Sequence, residues 1–164
     1  MNTTRHATGK HYPSMTHWLS AASSEPRSVR VLWAQGHTAA LSNGRLWDAV
    51  EVPLALSSLA ATYLAYRGRH IGPYLLCGAR ATAWWLTDPG HGQDLADVEH
   101  VKVLPVGCPI IAPAPGTYSG ERLWVLPEPP PCPWLRLTSP DALRTAVRDA
   151  VRALPRGYRA DSAP

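Results

Sequence analysis

Proline is the residue that most restricts what this chain can form. Seventeen prolines are spread over 164 residues, about twice the usual share of about 5%. Because proline lacks a backbone N–H and fixes its own φ angle, it is excluded from helix interiors and central strands. The chain is therefore expected to fold into short elements joined by many loops. Seven tryptophans and six tyrosines supply large apolar side chains for a core, which argues against a wholly disordered chain.

The order of the patterned segments predicts an α+β domain, with a small mixed or antiparallel sheet and flanking helices. The middle of the chain contains short apolar segments of the kind that form strands. Segments with helical periodicity lie before, between and after them. We expect residues 13–155 to form one domain. The polar residues 1–12 and the residues 156–164 are expected to be flexible termini.

Turn and cap signals predict where individual elements begin. Asn43-Gly44 is a typical two-residue hairpin turn and predicts pairing between the strands on either side of it. Gly78-Ala79 predicts a second hairpin, and Pro53 is suited to the first position of a helix. Ser139 is a typical N-cap and predicts the start of the final helix.

Cysteine usage and hydropathy indicate an intracellular protein. Cys77, Cys108 and Cys132 are odd in number and far apart, and they form no CxxC pair. The first twenty residues contain no apolar core of a signal peptide, and no run of 18 apolar residues occurs. We therefore expect a soluble cytoplasmic protein with free thiols and no membrane partner.

Charge gives little information about the partner. The formal net charge is +4, which implies mild attraction to polyanions. Only Lys10 and Lys102 are lysine, and the other basic residues are arginine. That bias is typical of a GC-rich genome and is not evidence for nucleic-acid binding. Arg144, Arg148 and Arg152 nevertheless lie four apart opposite the apolar stripe of the final helix, where they are candidate phosphate contacts or simply an exposed helix surface.

Asp48 and Glu51 are the candidate catalytic carboxylates. Two-metal nucleotidyl transfer needs two carboxylates that reach the same ions, which on a strand means spacing of two. Spacing of three directs them to opposite faces unless the strand is bulged, so a structural role is favoured. Neither GxGxxG nor GxxxxGK[ST] occurs, which argues against the classical dinucleotide and Walker-type sites. No metal site or cofactor is predicted.

Two further groups of residues are candidate sites. His91, Asp94, Asp97 and His100 share one segment, but the glycines beside His91 favour a solvated polar loop over a metal site. Trp84-Trp85 is a candidate platform for base stacking, although one ring of such a pair is normally buried in the core.

Four segments together resemble a known family. They are WAQGHTAAL (33–41), GRLWDAVEVP (44–53), GPYLL (72–76) with the following WWLTDPG, and the strand-loop-strand region 108–127. In this order they are similar to the N-terminal domain of bacterial bifunctional DNA primase/polymerases, the prim-pol branch of the archaeo-eukaryotic primase superfamily. The resemblance is greatest to short stand-alone forms found in actinobacteria, and it implies a primase/polymerase-like fold.

The resemblance also implies which residues belong to the site. Active members carry an hhhDhD strand for metal, where this chain has WDAVEV, and a histidine on the nucleotide strand, where this chain has ARATAWWL. Asp48, Glu51 and Arg80 are therefore the residues that can be carried over. The expected outcome is a retained fold with a lost catalytic centre.

Such a domain would bind nucleic acid, a nucleotide or a partner protein. Arg80 and the arginines of the final helix would contact phosphate, and residues 113–120 would shape the cleft. One alternative is an active metal-dependent nucleotidyltransferase, which would use Asp48 and Glu51 on a bulged strand with a divalent cation. Another is a protein-interaction module without a nucleic-acid role.

Overall fold

An antiparallel sheet forms the centre of the computed structural model, which describes residues 13–126 and 136–155. The helices in this part of the chain are α1 (Pro13–Ser20), α2 (Pro26–Ala34), α3 (Leu54–Tyr66) and α4 (Pro140–Ala153). The strands are β1 (Ala39–Ser42), β2 (Asp48–Pro53), β3 (Tyr74–Cys77), β4 (Thr82–Thr87), β5 (Lys102–Val103), β6 (Pro109–Ala112), β7 (Tyr118–Ser119) and β8 (Arg122–Val125). The predicted flexible termini and Cys132 lie outside the described residues.

Within the described residues, six strands form one sheet in the order β5-β2-β4-β3-β8-β7, and every neighbouring pair is antiparallel. The remaining strands, β1 and β6, form a separate antiparallel ribbon. The predicted α+β class, with an antiparallel sheet and flanking helices, is confirmed. No helix in the described ranges has the length and apolar character needed to cross a membrane.

Each face of the sheet packs against an apolar cluster, because strand residues alternate between the two clusters. Val50, Val52 and Trp85 pack with residues of α3 and α4, and we call this side the helix-pair face. Ala49 and Trp84 point the other way and pack with α1, α2 and the β1–β6 ribbon, and we call this side the ribbon face. The two-sided burial explains why β4 is apolar along its whole length rather than alternating with polar residues.

Local sequence signals determine where the two longest helices begin. Pro53 ends β2 and is the N-cap of α3, so the helix begins one residue later than predicted. Ser139 is the N-cap of α4 as predicted, and its hydroxyl accepts a hydrogen bond from the Ala142 N–H at 3.5 Å. Leu143, Ala146, Val147 and Ala150 form the buried stripe of α4, which packs against α3.

One predicted hairpin is confirmed and the other is wrong. β3 and β4 pair across the Gly78-Ala79 turn. The strands on either side of Asn43-Gly44 do not pair, because β1 pairs with β6. Asn43 is buried: its side-chain amide donates to the carbonyls of Leu104 (2.8 Å) and Pro105 (3.0 Å), and its Oδ1 accepts from the Ala49 N–H at 2.6 Å. This asparagine therefore joins two distant segments instead of turning a hairpin.

Candidate functional site

A cleft of about 160 Å³ opens on the ribbon face of the sheet. Polar and aromatic side chains of the sheet line one side, and a largely apolar wall from residues 104–111 lines the other. The sheet side consists of Glu51, Arg80, Trp84, Lys102 and Arg122. The wall consists of Leu104, Pro105, Cys108, Pro109, Ile110 and Ile111. The cleft thus combines charged groups with an apolar surface.

Sheet register brings the charged residues of the cleft together from distant parts of the chain. Glu51 on β2 lies opposite Trp84 on one side and Lys102 on the other. Arg122 lies opposite Cys77 at the end of β3, and Arg80 lies in the turn that follows β3. The site therefore exists only once β5, β2, β4, β3 and β8 have paired in this order.

Glu51 contacts two other residues that line the cleft, Trp84 and Arg80. Its Oε2 accepts a hydrogen bond from the Trp84 indole at 3.0 Å and lies 3.5 Å from Nη2 of Arg80. The Arg80 guanidinium carbon lies 5.7 Å from the centre of the Trp84 ring, within the range of a cation–π contact. The Arg80 side chain is 55% exposed and that of Glu51 is 16% exposed. Arg80 is therefore positioned by two neighbours and still open to a ligand.

Positive charge dominates the lining of the cleft. Arg80, Lys102 and Arg122 provide three cationic side chains, and Glu51 provides one carboxylate. Lys102 is exposed and, within the described ranges, forms no ion pair. Arg122 donates from Nη1 to the carbonyl of Gly120 at 3.1 Å. An anion in the cleft would meet an excess of positive charge next to an apolar wall, which is suited to a ligand with both phosphate and apolar groups.

Asp48 lies on the other face of the sheet from Glu51. The β2–β4 register runs without interruption from Asp48 to Pro53, so the strand has no bulge that would bring the two carboxylates together. Oδ2 of Asp48 accepts hydrogen bonds from the backbone N–H groups of Gly90 (2.9 Å) and Gly92 (3.0 Å). A Cβ at Gly92 would lie 2.9 Å from Cβ of Asp48. This carboxylate therefore holds the loop after β4.

The arginines of α4 are paired within the protein. Arg144 and Arg148 bind the same Oδ2 of Asp97 at 2.5 and 2.6 Å. The hydrogen bond from Arg144 holds the pKa of Asp97 below its usual value. Arg152 lies 3.2 Å from Asp149. α4 covers the helix-pair face, so these arginines do not join Arg80 in the cleft.

Asp149 has a second cationic partner. Arg67 at the end of α3 binds its Oδ2 at 2.5 Å, and this hydrogen bond lowers the pKa of Asp149. The arginine row of α4 is consequently part of the contact between α3, α4 and the loop that carries Asp97. As a candidate phosphate surface it is already partly neutralised.

The histidine-containing segment behaves as a polar surface. His91 lies 2.9 Å from Asp94, and this hydrogen bond raises the pKa of His91. Gly92–Leu95 forms a short 3-10 helix. Across the described ranges, no group of three or more His, Cys, Asp or Glu side chains could hold a metal ion.

Trp84 and Trp85 do not form an exposed stacking platform, which corrects that hypothesis. Trp84 is 5% exposed and Trp85 is fully buried. Trp85 stacks on Tyr74 with ring centres 4.1 Å apart and donates to Ser57 at 2.8 Å. The physical reason is that α3 and α4 cover one face of β4 while the ribbon covers the other.

Sequence reasoning missed most of the cleft. It singled out Glu51 and Arg80 but not Lys102, Arg122 or the apolar wall. The expected contribution of residues 113–120 is not observed, since the wall comes from residues 104–111. Lys102 and Arg122 begin β5 and β8, and a basic residue at or next to the start of a segment with a strand pattern is the signal available.

Comparisons with known proteins do not identify a relative of this chain. No protein-family model matches it, and no curated protein and no solved structure matches it either. The prim-pol resemblance stays a prediction from sequence, and function has to be inferred from the cleft.

Proposed function

We propose that this protein acts by binding nucleic acid through phosphate contacts in the cleft, without catalysing a reaction. The observation that carries the proposal is that Arg80, Lys102 and Arg122 line one cleft, whose lining contains Glu51 as its carboxylate. These cations come from a turn and two separate strands, so their proximity depends on the fold rather than on a basic stretch of sequence. Arginine and lysine are the side chains that supply most phosphate contacts in nucleic-acid complexes.

The size of the cleft favours a polymer over an enclosed small molecule. Pockets that enclose small ligands usually have volumes of about 300–1,000 Å³, whereas this one has about 160 Å³. A phosphate and its adjoining atoms fit, while the rest of the strand would run over the surface. Because Trp84 is buried, recognition is by charge and shape rather than by base stacking.

The separation of Asp48 and Glu51 supports a non-catalytic role. Two-metal phosphoryl transfer needs carboxylates that share the ions, but Asp48 and Glu51 point to opposite faces of β2 and Asp48 is occupied by the loop after β4. This proposal agrees with the sequence resemblance when the chain is taken as a prim-pol-like domain whose catalytic centre has been lost. We place this activity in the cytoplasm, as the cysteine usage predicts.

Fluorescence anisotropy with labelled single- and double-stranded DNA tests the proposal. Titrations at two salt concentrations should show binding that weakens steeply with salt, with a slope that corresponds to about two or three phosphate contacts. Manganese should have no effect. A manganese-dependent gain would instead support the nucleotidyltransferase, and absence of binding at low salt by folded protein would support the protein-interaction module.

Matched variants locate the binding surface. Arg80→Ala and Lys102→Ala should each weaken binding similarly for all DNA sequences. Arg69→Ala is the control, since Arg69 is exposed and lies beside Leu64 and Thr145 on the helix-pair side. It removes the same charge away from the cleft. Equal weakening by Arg69→Ala would overturn the assignment to the cleft.

A further inference from the structure

We propose that Glu51 competes with the phosphate of the ligand for Arg80. In the free protein its carboxylate occupies Arg80, and it gives up this contact when a phosphate binds. The inference rests on the proposed function and adds a specificity-determining role for Glu51 within the same cleft.

The contacts of Glu51 differ in length and in the exposure of the partner. Oε2 lies 3.0 Å from the Trp84 indole nitrogen and 3.5 Å from Nη2 of Arg80. Trp84 is 5% exposed and fixed in the sheet, whereas the Arg80 side chain is 55% exposed and lies in a turn. The longer contact, to the more exposed partner, is the one that a ligand can replace. Glu51 then remains in place through its hydrogen bond to Trp84.

Competition follows from the charge distribution. Glu51 contributes the single negative side chain among the residues that line the cleft. It lies beside Arg80 and opposite Lys102 in the sheet. An approaching phosphate is attracted by the three cations and repelled by Glu51, and this repulsion is large in a partly buried site. An anion that contacts Arg80 alone takes the place of the Glu51 carboxylate at that guanidinium. One negative group then replaces another, so the anion gains little binding free energy.

The consequence is a preference for ligands that contact several cations together. A nucleic-acid strand can place phosphates near Lys102 and Arg122 as well as Arg80, which compensates for the lost Glu51–Arg80 contact. Inorganic phosphate cannot, and it should bind the unaltered protein weakly. Removal of the Glu51 charge should reduce this preference, so that inorganic phosphate gains more affinity than the strand does.

Glu51→Gln is the variant that tests the inference. The amide oxygen can still accept from Trp84, while the negative charge beside Arg80 is lost. The affinity for a labelled single-stranded oligonucleotide should rise by about tenfold at low salt. Glu25→Gln is the matched control, because Glu25 is exposed and its side chain caps no helix N–H. It should change the affinity less than about twofold.

A double-mutant cycle separates competition at Arg80 from a general charge effect. In the Arg80→Ala background, Glu51→Gln should raise the affinity by clearly less than in the unaltered background, because the contact that the carboxylate blocked is gone and only its direct repulsion of the phosphate is relieved. An equal gain in both backgrounds, or no gain in the unaltered background, would overturn the inference. Tryptophan fluorescence and thermal unfolding of each variant confirm that it is folded.

Failure of this inference is distinguishable from failure of the proposed function. If the unaltered protein binds DNA and depends on Arg80 and Lys102, but Glu51→Gln gives no gain, only the competitor role is wrong. If neither the unaltered protein nor Glu51→Gln binds the oligonucleotide or inorganic phosphate at low salt, both proposals are wrong.

Discussion

The Trp84 indole N–H donates a hydrogen bond to the Glu51 carboxylate across β2 and β4, with 3.0 Å between Nε1 and Oε2. This contact directs the carboxylate along the sheet face toward Arg80, 3.5 Å away. A strand carboxylate that the family resemblance would associate with metal binding is thus engaged by an indole and a guanidinium. The arrangement favours an electrostatic cleft for anions over a metal centre.

Asp48 is expected to contribute to stability and not to DNA binding. Asp48→Ala should lower the free energy of unfolding by about 1–2 kcal/mol, because the N–H groups of Gly90 and Gly92 lose a charged acceptor. Urea denaturation followed by tryptophan fluorescence measures this loss. Asp48→Asn, which keeps an acceptor oxygen, should be less destabilised. Unchanged stability together with reduced DNA affinity would show that Asp48 belongs to the binding site.

A pair of adjacent serines tests the packing of the helix-pair face. Ser57 is buried and accepts the hydrogen bond of the fully buried Trp85 indole at 2.8 Å. Ser57→Ala should destabilise the protein by about 1–3 kcal/mol, because it leaves that N–H without a partner. Ser58 is exposed and its hydroxyl donates to the carbonyl of Leu54, so Ser58→Ala should change the stability by less than about 0.5 kcal/mol. Equal effects in urea denaturation would contradict this packing.

The contact of Asp97 with α4 should give an acid-sensitive contribution to stability. The hydrogen bond from Arg144 lowers the pKa of Asp97 from its ordinary value of 3.8. A carboxyl with a lowered pKa stabilises the folded state at neutral pH, and this stabilisation is lost as the pH falls below the ordinary value and through the lowered one. Asp97→Asn should therefore unfold at a slightly lower temperature than the unaltered protein at pH 7.

The same comparison at low pH provides the check. Below the lowered pKa both proteins carry an uncharged side chain at position 97, so their thermal midpoints should converge. Because Asp97 is exposed, the difference at pH 7 should be small and should decrease with added salt. A difference that stays constant from pH 7 to pH 2.5 would show that the carboxylate charge is not responsible.

Elements whose signals are local were predictable from sequence. The β3–β4 hairpin and the Ser139 cap of α4 each depend on residues that are neighbours in the chain. The pairing of β1 with β6 joins segments about seventy residues apart, and no short-range pattern encodes it. Asn43 shows the difficulty: its preference for turns is real, but its buried amide is used to bond Leu104 and Pro105.

The candidate site was less predictable than the fold. Spacing alone correctly placed Asp48 and Glu51 on opposite faces, because strand alternation is a local property. The grouping of Lys102 and Arg122 with Arg80 depends on sheet order and register, which the sequence pattern does not give. The arginine row of α4 had the spacing of a phosphate surface, but its acidic partner Asp97 lies on another element.

The most direct test of the account compares two charge-matched double variants in DNA-binding titrations at low salt. Arg80→Ala/Lys102→Ala removes two cations from the cleft. Arg148→Ala/Arg152→Ala removes two from α4 while Arg144 still holds Asp97. If the cleft binds DNA, the cleft variant should lose affinity by about tenfold or more. The α4 variant should stay within about threefold of the affinity of the unaltered protein. Retained binding by the cleft variant, with loss in the α4 variant, would contradict the account.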